Sequence, residues 1–154
     1  MFGRVKRYLG IEGVKVELDV PEKLGAYKGE VEGKVSFISM NKQTVTQVRV
    51  KMIEKYTRGR GKEKKIDEYE LGEIELKKNI EITPEKAVEI EFVLPFKMVR
   101  SEVEEFANKN LFFKGIANVA NLAYAAKSEY FIIAEAKVKG TALPPFQKKN
   151  INLL

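Results

Sequence analysis

Val14-Lys15-Val16-Glu17-Leu18-Asp19-Val20 alternates aliphatic and charged residues without a break. In an extended chain successive side chains point to opposite faces, so this stretch buries one side and wets the other. A helical period would scatter its aliphatics around the axis; only a strand collects them on one face. The same pattern recurs outward along the chain. Val31, Gly33, Val35 and Phe37 alternate with Glu32, Lys34 and Ser36, and Val48, Val50 and Met52 with Arg49 and Lys51. It continues through Ile74, Leu76, Ile80 and Ile82, through Val88, Ile90, Phe92 and Leu94, and through Tyr130, Ile132, Ala134, Ala136 and Val138. Between Leu71 and Ile74 the inward phase slips by one residue, and Gly72 sits where a bulge would absorb it.

Turn signals fall where alternation stops: Lys23-Leu24-Gly25, Tyr27-Lys28-Gly29, Met40-Asn41-Lys42, Thr83-Pro84-Glu85 and Leu94-Pro95. Half-buried strands joined by short turns predict an all-β fold, a two-sheet antiparallel sandwich. A chain of 154 residues suits one such domain over residues 1–154.

Two segments depart from this period. Phe2, Val5 and Leu9 share a helix face, with Arg4, Lys6 and Arg7 on the others, which predicts a short helix capping an open end of the sandwich. In residues 101–127, Ser101 and Glu104 have capping-box spacing, and a second helix is expected from about Leu111 to Ala126. Lys114, Asn118 and Asn121 form its narrow polar stripe. Phe112, Ile116 and Val119 lie on the apolar remainder, which needs cover either from the sandwich edge or from another chain, a homo-oligomer included.

The net charge of +6 is local. Lys55-Tyr-Thr-Arg-Gly-Arg-Gly-Lys-Glu-Lys-Lys65 holds six cations and one anion, leaving 22 Lys+Arg against 21 Asp+Glu elsewhere. Val48–Tyr56 leads into this run and Ile66–Leu71 leads out, so it forms the tip of a long hairpin. Arg58, Arg60, Lys62, Lys64 and Lys65 are the candidate contacts to an anionic partner, a nucleic acid or acidic membrane bound through released counterions. No aromatic lies between Thr57 and Ile66 to stack a base, and a solvated loop tip is the alternative.

The chain has no Cys and no His. Thiolate and imidazole chemistry, disulfides and the usual zinc ligands are thereby excluded. Glu102, Glu104 and Glu105 are explained by the first turn of a helix, Gly59 and Gly61 lack a phosphate-loop setting, and the serines have no histidine to activate them. The expectation is a non-enzymatic protein without cofactor or metal. No run reaches the length of a membrane span, and Met1–Gly10 lacks the apolar core of a secretory signal, so a cytoplasmic protein is expected. Abundant Lys and Glu with no Cys match a thermophilic source.

Tyr27-Lys-Gly29-Glu30-Val31-Glu-Gly33-Lys-Val35 resembles the early strand signature of arrestin-like domains, and most of all the bacterial and archaeal sporulation-control proteins of that fold. Gly10-Ile-Glu-Gly13 before the first strand, Glu89-Ile-Glu-Phe-Val-Leu-Pro95, and Ala142-Leu-Pro-Pro145 before Ile151 and Leu153 are similar to the same family. The sequence departs from it at Pro144 and Phe146-Gln-Lys-Lys149, where the family carries acids, and in the extra segment 101–127. The resemblance implies an immunoglobulin-like or arrestin-like sandwich with a helical insertion. It also implies a scaffold or adaptor that binds other proteins through sheet edges and loops.

Overall fold

The computed structural model describes residues 13–59, 62, 64–99 and 126–154. Among them the strands are β1 (Val14–Asp19), β2 (Lys23–Leu24), β3 (Glu30–Ser39), β4 (Gln43–Arg58), β5 (Lys65–Ile82), β6 (Val88–Pro95), β7 (Lys127–Val138) and β8 (Phe146–Leu153). They build a three-stranded sheet ordered β1-β3-β6 and a five-stranded sheet ordered β2-β8-β7-β4-β5.

The alternation read from the sequence packs the two sheets together. Val14, Val16 and Leu18 of β1, Val31, Val35 and Phe37 of β3, and Phe92 and Leu94 of β6 enter the core from the smaller sheet. Val48, Val50 and Met52 of β4 and Ile132, Ala134 and Ala136 of β7 enter it from the larger. Phe37, Met52, Ile82, Leu94 and Ile132 are completely enclosed. Each such side chain contributes about 1.5–3 kcal/mol by leaving water.

The slip near Gly72 is a bulge. Met52 pairs with Gly72 and Ile53 with Glu70, so Leu71 is the extra residue of β5 and turns into the core. The strand bends there toward the end of β6. Lys97 donates its N–H to the Leu71 carbonyl at 2.9 Å, and a β-carbon on Gly72 would collide with the Pro95 carbonyl oxygen. Gly33 meets a similar constraint on the other sheet. Its cross-strand partner Phe92 lays a ring tip 2.6 Å from where a β-carbon would stand, and the Asp19 carbonyl oxygen lies at 2.8 Å.

Beyond Asp19 the chain changes sheets. Val20-Pro21-Glu22 carries it from β1 to β2, which runs parallel to the end of β8, Lys23 opposite Asn152 and Leu24 opposite Leu153. Asn152 donates its N–H to the Glu22 carbonyl and Leu154 to that of Leu24, each at 2.8 Å. This corrects two expectations: Lys23-Leu24 is a strand rather than the start of a turn, and the sandwich is not wholly antiparallel. A strand of two residues has no period to read, and its partner lies at the far end of the sequence.

The expected helical insertion over 101–127 lies outside the described residues except at its end. There Ala126 is not helical and Lys127 already opens β7, paired with Thr57. The expected helix near Phe2, Val5 and Leu9 also lies outside them. At the turns, Gly29 takes φ 82° and Glu85 φ 63°, within two of the stretches whose composition signalled a reversal.

Replacing Gly72 by Ala is expected to lower stability by about 1–3 kcal/mol, because the new methyl meets backbone that cannot swing aside. Gly25, with open space around it, is the control, and Gly25→Ala should stay within about 0.5 kcal/mol of the parent. Urea-unfolding midpoints of the two variants check this.

Candidate functional site

The hairpin tip is where the sequence put it. Thr57 pairs with Ile66 and Arg58 with Lys65, and Gly59 turns the chain with φ 84°. Lys62, Lys64 and Lys65 are exposed, whereas Arg58 lies 3.2 Å from the Asp67 carboxylate and is answered within the hairpin. Arg60 lies outside the described residues. Close to the tip, on β7 beside Thr57 and Lys55, the Lys127 ammonium sits 3.1 Å from Glu129. Its hydrogen bond first and its charge second hold the Glu129 carboxyl below the usual carboxylate range, with Lys55 and Lys148 assisting.

Along the ribbon, cations of β4 face acids of β5 on the solvent side. Arg49 lies 3.1 Å from Glu73 and 3.5 Å from Glu75, Lys51 lies 3.7 Å from Glu70, and the Gln47 amide donates to Glu75. Such pairs stabilise by only about 0–1 kcal/mol each. Their placement matters more. Among the described residues β5 pairs with β4 alone, so it is the edge of the larger sheet, and its acids and bulge are the features that deter indiscriminate strand pairing.

Glu54 carries a carboxylate where the alternation of β4 calls for an aliphatic residue. It is 0% exposed, on the inward face of β4 in phase with Val48, Val50 and Met52. The Ser128 hydroxyl donates to its Oε2 at 2.8 Å and the Tyr130 hydroxyl at 3.3 Å, both from β7, the neighbouring strand. Burying a carboxylate is expensive unless donors meet it, and here two hydroxyls are built into the adjoining strand for that purpose. Strand parity alone signals the position; the compensating hydroxyls lie too far along the sequence to be read. Glu54 thus pins β4 to β7 where the core gives way to polar residues. Among the described residues no group of three or more Asp or Glu converges in a metal-binding arrangement.

Phe112, Ile116 and Val119, the candidate interface positions, lie outside the described residues. Among the described residues no helix is long and apolar enough to cross a membrane.

Comparison with known proteins bears on this geometry. The family model described as SpoOM protein matches residues 2–109. The chain belongs to the SpoOM protein family. Among solved structures, the crystal structure of Spo0M, the sporulation control protein of Bacillus subtilis, superposes with a TM-score of 0.63 at 11% sequence identity. The match covers 93% of this chain and 50% of that one, so the present chain spans half the length of that Spo0M structure. At this identity the likeness is one of fold, and with the family match it identifies the all-β sandwich as arrestin-like. Among curated proteins the sequence finds no significant match.

Ser128→Ala removes the closer of the two hydroxyl donors to a buried carboxylate. It is expected to cost about 1.5–3 kcal/mol. Glu129→Gln, one residue along the same strand and exposed to water, should leave the unfolding midpoint unmoved. Chemical denaturation of both variants checks the assignment.

Proposed function

We propose that this chain is a non-enzymatic regulatory module of the sporulation-control type, acting in the cytoplasm as an adaptor that binds other proteins through exposed parts of its sheets. The observation that carries this reading is the inequality of the two sheets. β4 and β5 run for 16 and 18 residues, whereas β1, β3 and β6 have 6, 10 and 8. A ribbon longer than any strand of the facing sheet adds little to the core for its length and offers much to a partner. Sheet edges and ribbon faces of this kind bind extended segments of other proteins by main-chain pairing, with side-chain pockets giving selectivity.

Two further considerations support the reading. Family membership brings a regulatory association. The absence of His and Cys removes the side chains on which most acid-base and nucleophilic catalysis relies.

The second reading, contact with nucleic acid or acidic membrane, is favoured by one observation: the exposed cations Lys62, Lys64 and Lys65 at the tip. Neutralising the tip separates the two. With Arg58, Arg60, Lys62, Lys64 and Lys65 all replaced by Gln, affinity capture from cell extract is expected to retain the same protein partners as the parent. A parent chain that instead binds DNA or phosphatidylserine vesicles with steep salt dependence, and loses this in the variant, makes the tip the functional site.

A further inference from the structure

The edge of the sandwich opposite β5 has a different character. β1 and β8 run side by side there and in the same direction, since the Leu18 N–H donates to the Gln147 side chain and β2 continues the course of β1 parallel to β8. A little earlier the two segments part. Between Val14 and Val16 on one side and Leu143 to Phe146 on the other lies a groove of about 460 Å³, whose lining is mostly apolar.

Pro144 and Pro145 account for the parting. Neither has an N–H to give, so the segment entering β8 cannot zip onto β1 as an ordinary strand would. Leu18 turns its N–H away from β3. Val16 and Val14, two and four residues back, therefore direct their backbone groups the same way, toward the prolines. On the outer rim Leu143 is 86% exposed and Phe146 62%. Neither the long row of acids nor the bulge that guards β5 is repeated here.

Positive charge predominates along the chain around the groove. Among the described lining residues the one ionisable side chain is Lys15, whose ammonium lies 3.2 Å from the Glu17 carboxylate. From Ala136 to Leu154 the sequence holds Lys137, Lys139, Lys148 and Lys149 and no acid at all. Lys139, Lys148 and Lys149 are exposed and flank the lining segment on both sides; the Lys148 ammonium lies over the Phe131 ring, 4.2 Å from its centroid, which leaves Lys139 and Lys149.

We infer that this groove is a docking site for an extended segment of a partner protein, one that alternates aliphatic with acidic residues. Aliphatic side chains enter between Val16 and Leu143, the occupant's backbone meets the outward groups of β1, and its carboxylates meet the flanking Lys139 and Lys149. Complementary charge selects the partner, and the apolar contacts hold it. This site rests on the adaptor reading and names the surface and partner chemistry for it.

The test places a photoreactive benzoylphenylalanine at position 143 of the full chain and adds a short synthetic peptide of alternating valine and glutamate. The expected result is an adduct with the peptide. A peptide with lysine in place of glutamate should bind roughly tenfold less tightly or worse. Leu143→Asp with Phe146→Asp should lose roughly tenfold or more in affinity, the scale of an apolar anchor. Both side chains are largely in water, so the unfolding midpoint of this double variant should match the parent. No peptide adduct, an adduct with the chain's own residues, or an adduct with a second copy overturns the proposal. Capture from cell extract separates the two levels. Partners held equally by parent and double variant overturn the groove and leave the adaptor reading standing. No partner held by either overturns both.

Discussion

Two sheets of unequal width have to be joined at their margins, and here the chain passes those margins at glycines where no β-carbon fits. At Gly72 the bulge of β5 is pressed against the Pro95 carbonyl, with Lys97 bonded to Leu71 beside it. At Gly33 the departing end of β1 passes close enough for the Asp19 carbonyl to lie 2.8 Å from a would-be methyl. Both are the close approach for which a glycine within a strand is retained despite its entropic cost. The rest of the architecture follows. Once β6 is held to β5 at one margin and β1 is free to cross at the other, the inward faces of the sheets oppose each other and the Val, Ile and Phe core can close.

What the sequence discloses and what it withholds divide along the range of the interactions involved. Period-two alternation is local, and it placed β1, β3, β4 and β6 and the inward faces of Val14, Val35, Val50 and Leu94. The bulge was legible too, because a phase slip with a glycine at it is a local signature. β2 was not: two residues carry no period, and their pairing depends on Asn152 and Leu153. Glu54 was only half legible, for a related reason. Its parity pointed inward, but accepting a buried carboxylate requires knowing that Ser128 and Tyr130 stand beside it on β7, which only register reveals. Among the candidate site residues, sequence position sufficed to set Arg58 and Lys65 at the hairpin tip. It could not show that Arg58 would be taken up by Asp67.

Charge tells a parallel story about surfaces. On the β4–β5 ribbon, Arg49 and Lys51 stand opposite a row of acids, so that face is near neutral and well screened, a surface that discourages chance pairing while it remains polar. The last stretch of the chain is unlike this. From Ala136 to Leu154 there is no acid, and Lys139 and Lys149 flank the margin where two prolines keep neighbouring segments from closing. The two edges of the larger sheet therefore differ in polarity.

That asymmetry bears on the adaptor reading proposed above, because the described sandwich offers surfaces of different kinds. The guarded β5 edge, the charged tip and the proline-parted groove differ in polarity, in sign of charge and in the backbone groups they present. The tip attracts at long range and is weakened by salt, whereas an apolar groove with a basic rim holds at short range and discriminates by shape and sequence. Of the two, only the second kind of contact discriminates by sequence, so the adaptor proposed above takes its specificity from the β1–β8 margin rather than from its most conspicuous run of charge.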